Sequence, residues 1–379
     1  MPFSKLNLNP ELTQKLNNIG YEKPYPIQQQ AIPAILKGKD LLGIAQTGSG
    51  KTASFVLPIL NNFTSKNTEK NRLVDVLILV PTRELAVQVE SVFKEFNQVL
   101  RNPAIVKSVY GGVSINPQMK GLYGVNILIA TPGRLIELVD SKALALSKVS
   151  ILVLDEADKM LNIGFKDEMD RILKLLPEKR QNLLFSATLS DKVNEIKQMV
   201  LRKPIVLSIK PKEANLDIIE QIAYSVEPER KGPLLRHIIK INELKQVLVF
   251  TSSTFKADNV AAKLRKNNIQ ATAIHSKKSQ GARTAALSKF KEGTLRVLVA
   301  TDLLARGIDI EFLPCVINFE LPRSPKDFIH RIGRTGRAEN PGKAITFFGS
   351  EEEHHFKVIQ KKMKKEIETQ DGDKIVLSL

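Results

Sequence analysis

Short apolar runs rich in leucine and β-branched residues recur along this chain with helix-length polar segments between them, and no other feature limits its fold as tightly. In the first half they are Leu41-Leu42-Gly43-Ile44, Val76-Leu77-Ile78-Leu79-Val80, Ile127-Leu128-Ile129-Ala130, Ile151-Leu152-Val153-Leu154 and Leu183-Leu184-Phe185. In the second half they are Val247-Leu248-Val249-Phe250, Val297-Leu298-Val299-Ala300 and Val316-Ile317-Asn318-Phe319. Such runs suit strands buried on both faces, and spacers of this length suit parallel βαβ crossovers. The pattern predicts an α/β chain of parallel sheets covered on both faces. The stretch Ser208-Ile209-Lys210-Pro211-Lys212-Glu213-Ala214-Asn215-Leu216 follows Lys203-Pro204 and is polar and proline-bearing, as a linker would be. Domains are therefore expected at 1–208 and 219–379, joined by a linker at 209–218.

A chain of 379 residues is long enough for two full cores. Its formal charge of +17 points to a phosphate-rich polymer, which lysine and arginine bind by releasing counterions. The single cysteine, Cys315, excludes an intramolecular disulfide and a cysteine-based zinc site, and its apolar setting predicts a buried strand position. No stretch reaches bilayer-spanning length and the N-terminus lacks an h-region, so a soluble, cytoplasmic protein with no membrane partner is expected. Lys361-Lys362-Met363-Lys364-Lys365 reads as part of a charged, solvated helix.

The chemistry concentrates at two places. Ala45-Gln46-Thr47-Gly48-Ser49-Gly50-Lys51-Thr52 has the spacing of a phosphate-binding loop, with Ala45 at the first position in place of glycine. Its backbone N–H groups and the following helix dipole would hold phosphate oxygens. Lys51 would reach the β- and γ-phosphates, and the Thr52 hydroxyl would ligate magnesium. Asp155-Glu156-Ala157-Asp158 follows an apolar run directly, at the strand end where open parallel sheets bind ligands. Acids there must face a cation or solvent. Asp155 is the expected magnesium partner through water, and Glu156 is placed to orient or deprotonate an attacking water. Together these segments predict a Mg-nucleotide site.

The second place is His330-Arg331-Ile332-Gly333-Arg334-Thr335-Gly336-Arg337. At helical spacing Arg331, Arg334 and Arg337 would share a broad face. Gly333 and Gly336 weaken a helix, which implies close backbone approach or a helix end. Arginines of this kind stabilise charge on a transferring phosphoryl group. Supplied by the second domain, they would make hydrolysis depend on domain closure.

These motifs, in this order over essentially residues 3 to 350, resemble those of the DEAD-box RNA helicases of helicase superfamily two, and within them the bacterial RhlE-type branch. The resemblance implies an α/β fold of two tandem RecA-like domains, each a parallel β-sheet covered by helices on both faces. It implies an RNA-stimulated ATP hydrolase that unwinds short RNA duplexes locally, with ATP and Mg2+ as cofactors. Phe3 upstream of Gly20-Tyr21-Glu22-Lys23-Pro24-Tyr25-Pro26-Ile27-Gln28 is similar to the adenine-reading motif, with Gln28 on the adenine edge, Tyr21 on its face and Lys23 beside them. A buried polar reader of that kind favours ATP over GTP. Ser186-Ala187-Thr188 resembles the segment coupling hydrolysis to strand separation. Gly307 and Asp309 take the ribose end of the site, and His330, Arg334 and Arg337 take the γ-phosphate positions.

The RNA contacts it implies are Pro81, Thr82, Arg83, Gly112, Thr131, Gly133 and Arg134 in the first domain, and Thr251, Gln280, Arg283, Thr301 and Asp302 in the second. Residues rich in Gly, Thr and Arg after strands suit backbone-phosphate contacts, which position a strand without reading it. No aromatic-interleaved basic stretch of the base-stacking type stands out in the sequence. Binding is therefore expected to be sequence-independent, with RNA told from DNA by 2′-hydroxyl and A-form contacts. His275-Ser276-Lys277 departs from the histidine-glycine pair common in the branch, and the long basic extension common after the second domain is absent or cut short after Leu379. A monomer is expected, and ribosomal or RNA-decay partners are compatible with the resemblance. The rival readings are an ATP-gated RNA clamp with little unwinding and a DNA-directed motor of the same superfamily.

Overall fold

A computed structural model describes residues 2–46, 48–63, 71–209, 218–302, 313–336 and 342–377. The chain forms two compact units, residues 1–211 and 212–379. The first holds strands β1 (Leu41–Ile44), β2 (Val76–Leu79), β3 (Val106–Val109), β4 (Ile127–Ala130), β5 (Ile151–Leu154), β6 (Gln181–Ser186) and β7 (Ile205–Ser208). They make one sheet in the order β3-β4-β2-β5-β6-β1-β7, every pair parallel. The second holds β8 (Ile219–Ser225), β9 (Val247–Thr251), β10 (Ala271–Ile274), β11 (Val297–Thr301), β12 (Cys315–Asn318), β13 (Gly342–Phe348) and β14 (Glu368–Asp371). Their order is β10-β11-β9-β12-β13-β8-β14, again all parallel. These are two tandem RecA-like domains. Among the described residues no helix is long and apolar enough to cross a membrane.

Each central strand feeds two cores because successive side chains point to opposite faces. In β2, Val76 and Ile78 enter one core while Leu77 and Leu79 enter the other; in β4, Ile127 and Ile129 part from Leu128 and Ala130 in the same way. The second unit repeats the scheme, with Val247 and Val249 opposed to Leu248 and Phe250. All eight apolar runs are strands. Of the six further strands, four (β3, β7, β10 and β14) are the sheet edges. An edge has one neighbour, and Glu368-Thr369-Gln370-Asp371, exposed at all four positions, needs no apolar run. The edge strand Val106-Lys107-Ser108-Val109 buries a serine that bonds Glu90. Cys315 is fully buried in β12, and burial pushes its thiol up to about 12.

Two expectations change in detail. Residues 210–217 of the expected linker lie outside the described residues, but Ile209 still donates its N–H to the Ile44 carbonyl at 2.9 Å. The charged tail helix is Glu353–Met363, anchored by Phe356, Ile359 and Met363, and Lys364 ends it in the left-handed region at φ 54°. Only its outer face is solvated.

One buried carboxylate ties the edge of the first sheet together. Asp40, just before β1, accepts from the Asn182 N–H at 2.8 Å, the Asn182 side-chain amide at 3.1 Å and the Arg202 N–H at 2.8 Å. Asp40→Ala would strand these donors, so a loss of roughly 2–3 kcal/mol is expected, with a smaller loss for Asp40→Asn. Urea denaturation of the three proteins measures it, and equal midpoints would refute the assignment.

Candidate nucleotide site and nucleic-acid face

The segments expected to bind phosphate follow β1, the acids follow β5, and Ser186 ends β6. These three strands are adjacent in the order β5-β6-β1, so their C-terminal ends share one stretch of the sheet rim. Gly50 opens the helix Lys51–Asn62 from the left-handed region at φ 84°, and a Cβ there would sit 2.5 Å from the Gln28 amide nitrogen. Glycine is required on both counts. Gln28 is almost fully buried; its amide donates to the Gly50 carbonyl at 3.1 Å and its Oε1 accepts from the Tyr25 N–H at 2.8 Å. The expected base-reading side chain is thus joined to the phosphate loop itself. Tyr21 lies between Phe3 and Phe96, ring centroids 6.4 Å from each, and remains 41% exposed. Lys23, Gln46 and Gly48 are exposed, Ser49 and Thr52 are partly so, and Ala45 is buried.

Lys51 is buried, and its ammonium donates to the Ala45 carbonyl at 2.7 Å. A phosphate oxygen would offer the same kind of acceptor. Asp155 is 2% exposed and accepts the Glu156 N–H at 2.9 Å. Burial pushes its carboxyl up to about 6, against the pull of Lys51 and with the push of Glu156. A buried acid held short of easy ionisation fits a hard oxygen-seeking cation such as magnesium.

Glu156 adopts φ 53°, ψ 46°, a conformation costly for a non-glycine residue. Lys159 holds its carboxylate through both oxygens at 2.8 Å. The sequence motifs do not mark Lys159 as part of the site; its i+3 spacing from Glu156 is the one local signal that points to it. Asp158 reaches the next strand, accepting from the Thr188 hydroxyl at 3.2 Å, while the Ser186 hydroxyl donates to the Thr188 carbonyl at 2.7 Å. Ala187 lies between them, partly buried. The acidic segment and Ser186-Ala187-Thr188 are therefore one hydrogen-bonded unit.

The expected RNA contacts of the first unit follow β3, β4 and β2, the neighbouring half of the same sheet. Thr82 caps the helix Arg83–Asn97 by accepting from Leu85 N–H at 3.3 Å, and Pro81 before it is buried. Arg83 donates to the Gly112 carbonyl at 3.4 Å. Gly112 is at φ 74°, and a Cβ there would collide with the Arg83 guanidinium. Thr131 and Arg134 are buried; Arg134 donates to the Val113 carbonyl and to Glu137, both at 2.8 Å. Gly133 opens to free space.

In the second unit Thr251 ends β9, Gln280 with Arg283 comes after β10, and Thr301 with Asp302 lies at the end of β11, strands that are also neighbours. Arg283 donates to the Gln280 side chain. The basic motif departs from the expected shared arginine face. The helix Pro325–Ile332 ends at Gly333, and Arg334 lies beyond it. Arg331 points inward, 2% exposed, with Nε and Nη2 donating to the two Asp302 oxygens at 2.6 and 2.8 Å. Its Nη1 reaches the Asn318 side chain at 3.2 Å and the Glu320 carbonyl at 2.6 Å, and its carbon lies 4.9 Å from the Phe250 ring centre. Helical spacing cannot show this, because a partly buried acid just after β11 selects the side. The Asp302 carboxylate is thereby engaged within the protein. His330 is exposed and Arg334 is buried. Thr47, Gly307, Asp309 and Arg337 lie outside the described residues.

Comparison with known proteins shows the family. Residues 25–196 match the DEAD/DEAH box helicase family, and residues 230–339 match the helicase conserved C-terminal domain. The ATP-dependent RNA helicase CshA of Listeria monocytogenes is 39% identical over 97% of this chain and 69% of that protein. The DEAD-box ATP-dependent RNA helicase CshA of Bacillus subtilis is 37% identical over 97% and 73%. Both names speak for the family and not for the RhlE-type branch. Among solved structures, S. cerevisiae Dbp5 bound to RNA and ADP BeF3 aligns with a TM-score of 0.83 at 29% identity, covering 98% of this chain and 96% of that one. A DEAD box protein from the hyperthermophile Methanococcus jannaschii aligns at 0.55 with 35% identity, covering 98% and 99%.

The Asp155 carboxyl sets a pH dependence. Its pKa in the fold exceeds the ordinary 3.8, so the stability it contributes is complete below 3.8 and disappears as pH rises through about 6. Without nucleotide or magnesium, wild-type protein should lose about 2.5 kcal/mol between pH 4 and pH 8 that Asp155→Asn keeps. Calorimetric melting across that range reads the difference. Parallel pH profiles would contradict it.

Proposed function

The chain belongs to the DEAD-box family of ATP-dependent RNA helicases, and on that premise we propose that its ATP hydrolysis drives closure of the two units on an RNA strand and local unwinding of short duplexes. The observation that carries this reading is the rim shared by β5, β6 and β1, where buried Asp155 faces the influence of Lys51 and Asp158 grips Thr188.

On this reading the phosphate loop from Ala45 to Thr52 holds the triphosphate, with Lys51 turning from the Ala45 carbonyl to phosphate oxygens. Gln28 keeps one N–H and one lone pair beyond its present bonds, enough to pair with an adenine edge. Thr52, and Asp155 through water, would hold magnesium, which would supply charge neutralisation at the phosphates. Glu156, steadied by Lys159, orients the attacking water and takes its proton. Arg334, with His330 and Arg337, would meet the γ-phosphate from the second unit, while Gly307 and Asp309 would take the ribose. Asp158 joined to Ser186-Ala187-Thr188 gives the hydrolytic acids a mechanical link to the next strand. The RNA contacts of both units would grip phosphates and 2′-hydroxyls without reading sequence. The protein is proposed to act as a monomer.

Two variants test the roles. Glu156→Gln should lower RNA-stimulated phosphate release by about 10^3-fold or more while RNA binding in ATP persists; equal loss of both would show the base misassigned. Arg334→Ala should lose turnover by a similar factor with ATP affinity kept, read by phosphate release and by nucleotide titration. Strand displacement of a short RNA duplex tests the whole reading: no displacement with ATP would leave an RNA clamp in its place.

A further inference from the structure

Phe255 is alone among the described phenylalanines in being exposed, with 76% of its surface in water. It stands in the first turn of the helix Thr254–Lys266, directly after the Thr251-Ser252-Ser253 segment that ends β9. A ring in water forgoes the gain of burial, and a polar residue would serve a helix start better.

Its surroundings are fixed on both sides. Glu320, just after β12, accepts from the N–H and the hydroxyl of Ser252, both at 2.7 Å, and pairs with the ammonium of Lys256. Ser253 caps the helix by accepting from the Lys256 N–H at 3.2 Å. The Glu320 backbone is itself held by Arg331. The residues flanking Phe255 are thus locked to a second strand end, and the ring projects from a rigid mount. With its backbone fixed, the ring has only its own side-chain rotation to lose on binding, which suits a stacking platform.

The chain segment that carries it is also cationic: residues 251–300 hold ten lysines and arginines against two acids. A polyanion whose units carry flat apolar faces matches both properties. We propose that Phe255 stacks on a nucleobase of the bound single-stranded RNA, beside the backbone contacts of Thr251 and its neighbours. This rests on the RNA reading of that rim and adds to it a base-directed contact, so binding should favour purines, whose faces are larger.

Anisotropy of labelled oligo-A and oligo-U, with the full chain and a non-hydrolysable ATP analogue, tests it. Phe255→Ala and Phe255→Leu should weaken oligo-A binding roughly five- to a hundredfold, without changing the salt dependence, and Phe255→Trp should restore it. An abasic site moved along the oligonucleotide should cost wild-type protein affinity at one position that is silent in Phe255→Ala. Matching melting temperatures exclude misfolding of the variants. Arg83→Ala, in the first unit, reports on the backbone reading by weakening both oligonucleotides and flattening the salt dependence. Unchanged binding by Phe255→Ala beside weakened Arg83→Ala would overturn stacking alone. Unchanged binding by both would overturn stacking together with the RNA face. Restoration by Leu would also overturn stacking, in favour of plain apolar contact.

Discussion

A carboxylate buried at the end of a core strand is the constraint around which the first unit is organised. Asp155 cannot hold its charge there without compensation, and the fold supplies only part of it from Lys51 and the Glu156 N–H. Everything near it follows from that shortage. The phosphate loop must come from the adjacent part of the rim, its glycines must let Gln28 and the loop backbone approach, and Glu156 must leave ordinary backbone geometry to start the next helix. A site built this way is under-compensated by its own residues, a shortage that a cation bound with nucleotide would relieve.

The second unit uses buried charge differently. Asp302 and Arg331 satisfy each other, and Arg331 and Glu320 tie the ends of β9, β11 and β12 into one rigid rim. Removing one partner would strand the other, which is why such pairs specify geometry more than they add stability. The helix bearing His330 is thereby locked to the segment bearing Thr301. Both sheets also divide the same way, with expected RNA contacts at or after the ends of β3-β4-β2 in one and β10-β11-β9 in the other.

Much of this organisation is legible in the order of residues along the chain. Strands buried on two faces announce themselves because little room is left for polar residues, whereas the inner strand β8, with Glu220 and Gln221, does not. A phosphate loop must keep its glycines and lysine contiguous. Edge strands such as Glu368–Asp371 escape notice because half their surface faces solvent. Arg331 and Arg334 look alike in sequence, yet one turns inward to Asp302 and the other leaves the helix. Phe255 reads as one more apolar residue at a helix start, and only its exposure sets it apart.

The sequence by itself determined the two parallel α/β units and the residue types of the nucleotide site, because periodicity and local spacing are properties of neighbours along the chain. The tertiary structure alone decided which charges are shared. Asp155 with Lys51, Asp158 with Thr188, Arg331 with Asp302 and Glu320 with Ser252 each join residues from separate elements of the fold. Their energies depend on burial and distance, and neither quantity exists until the sheets have formed.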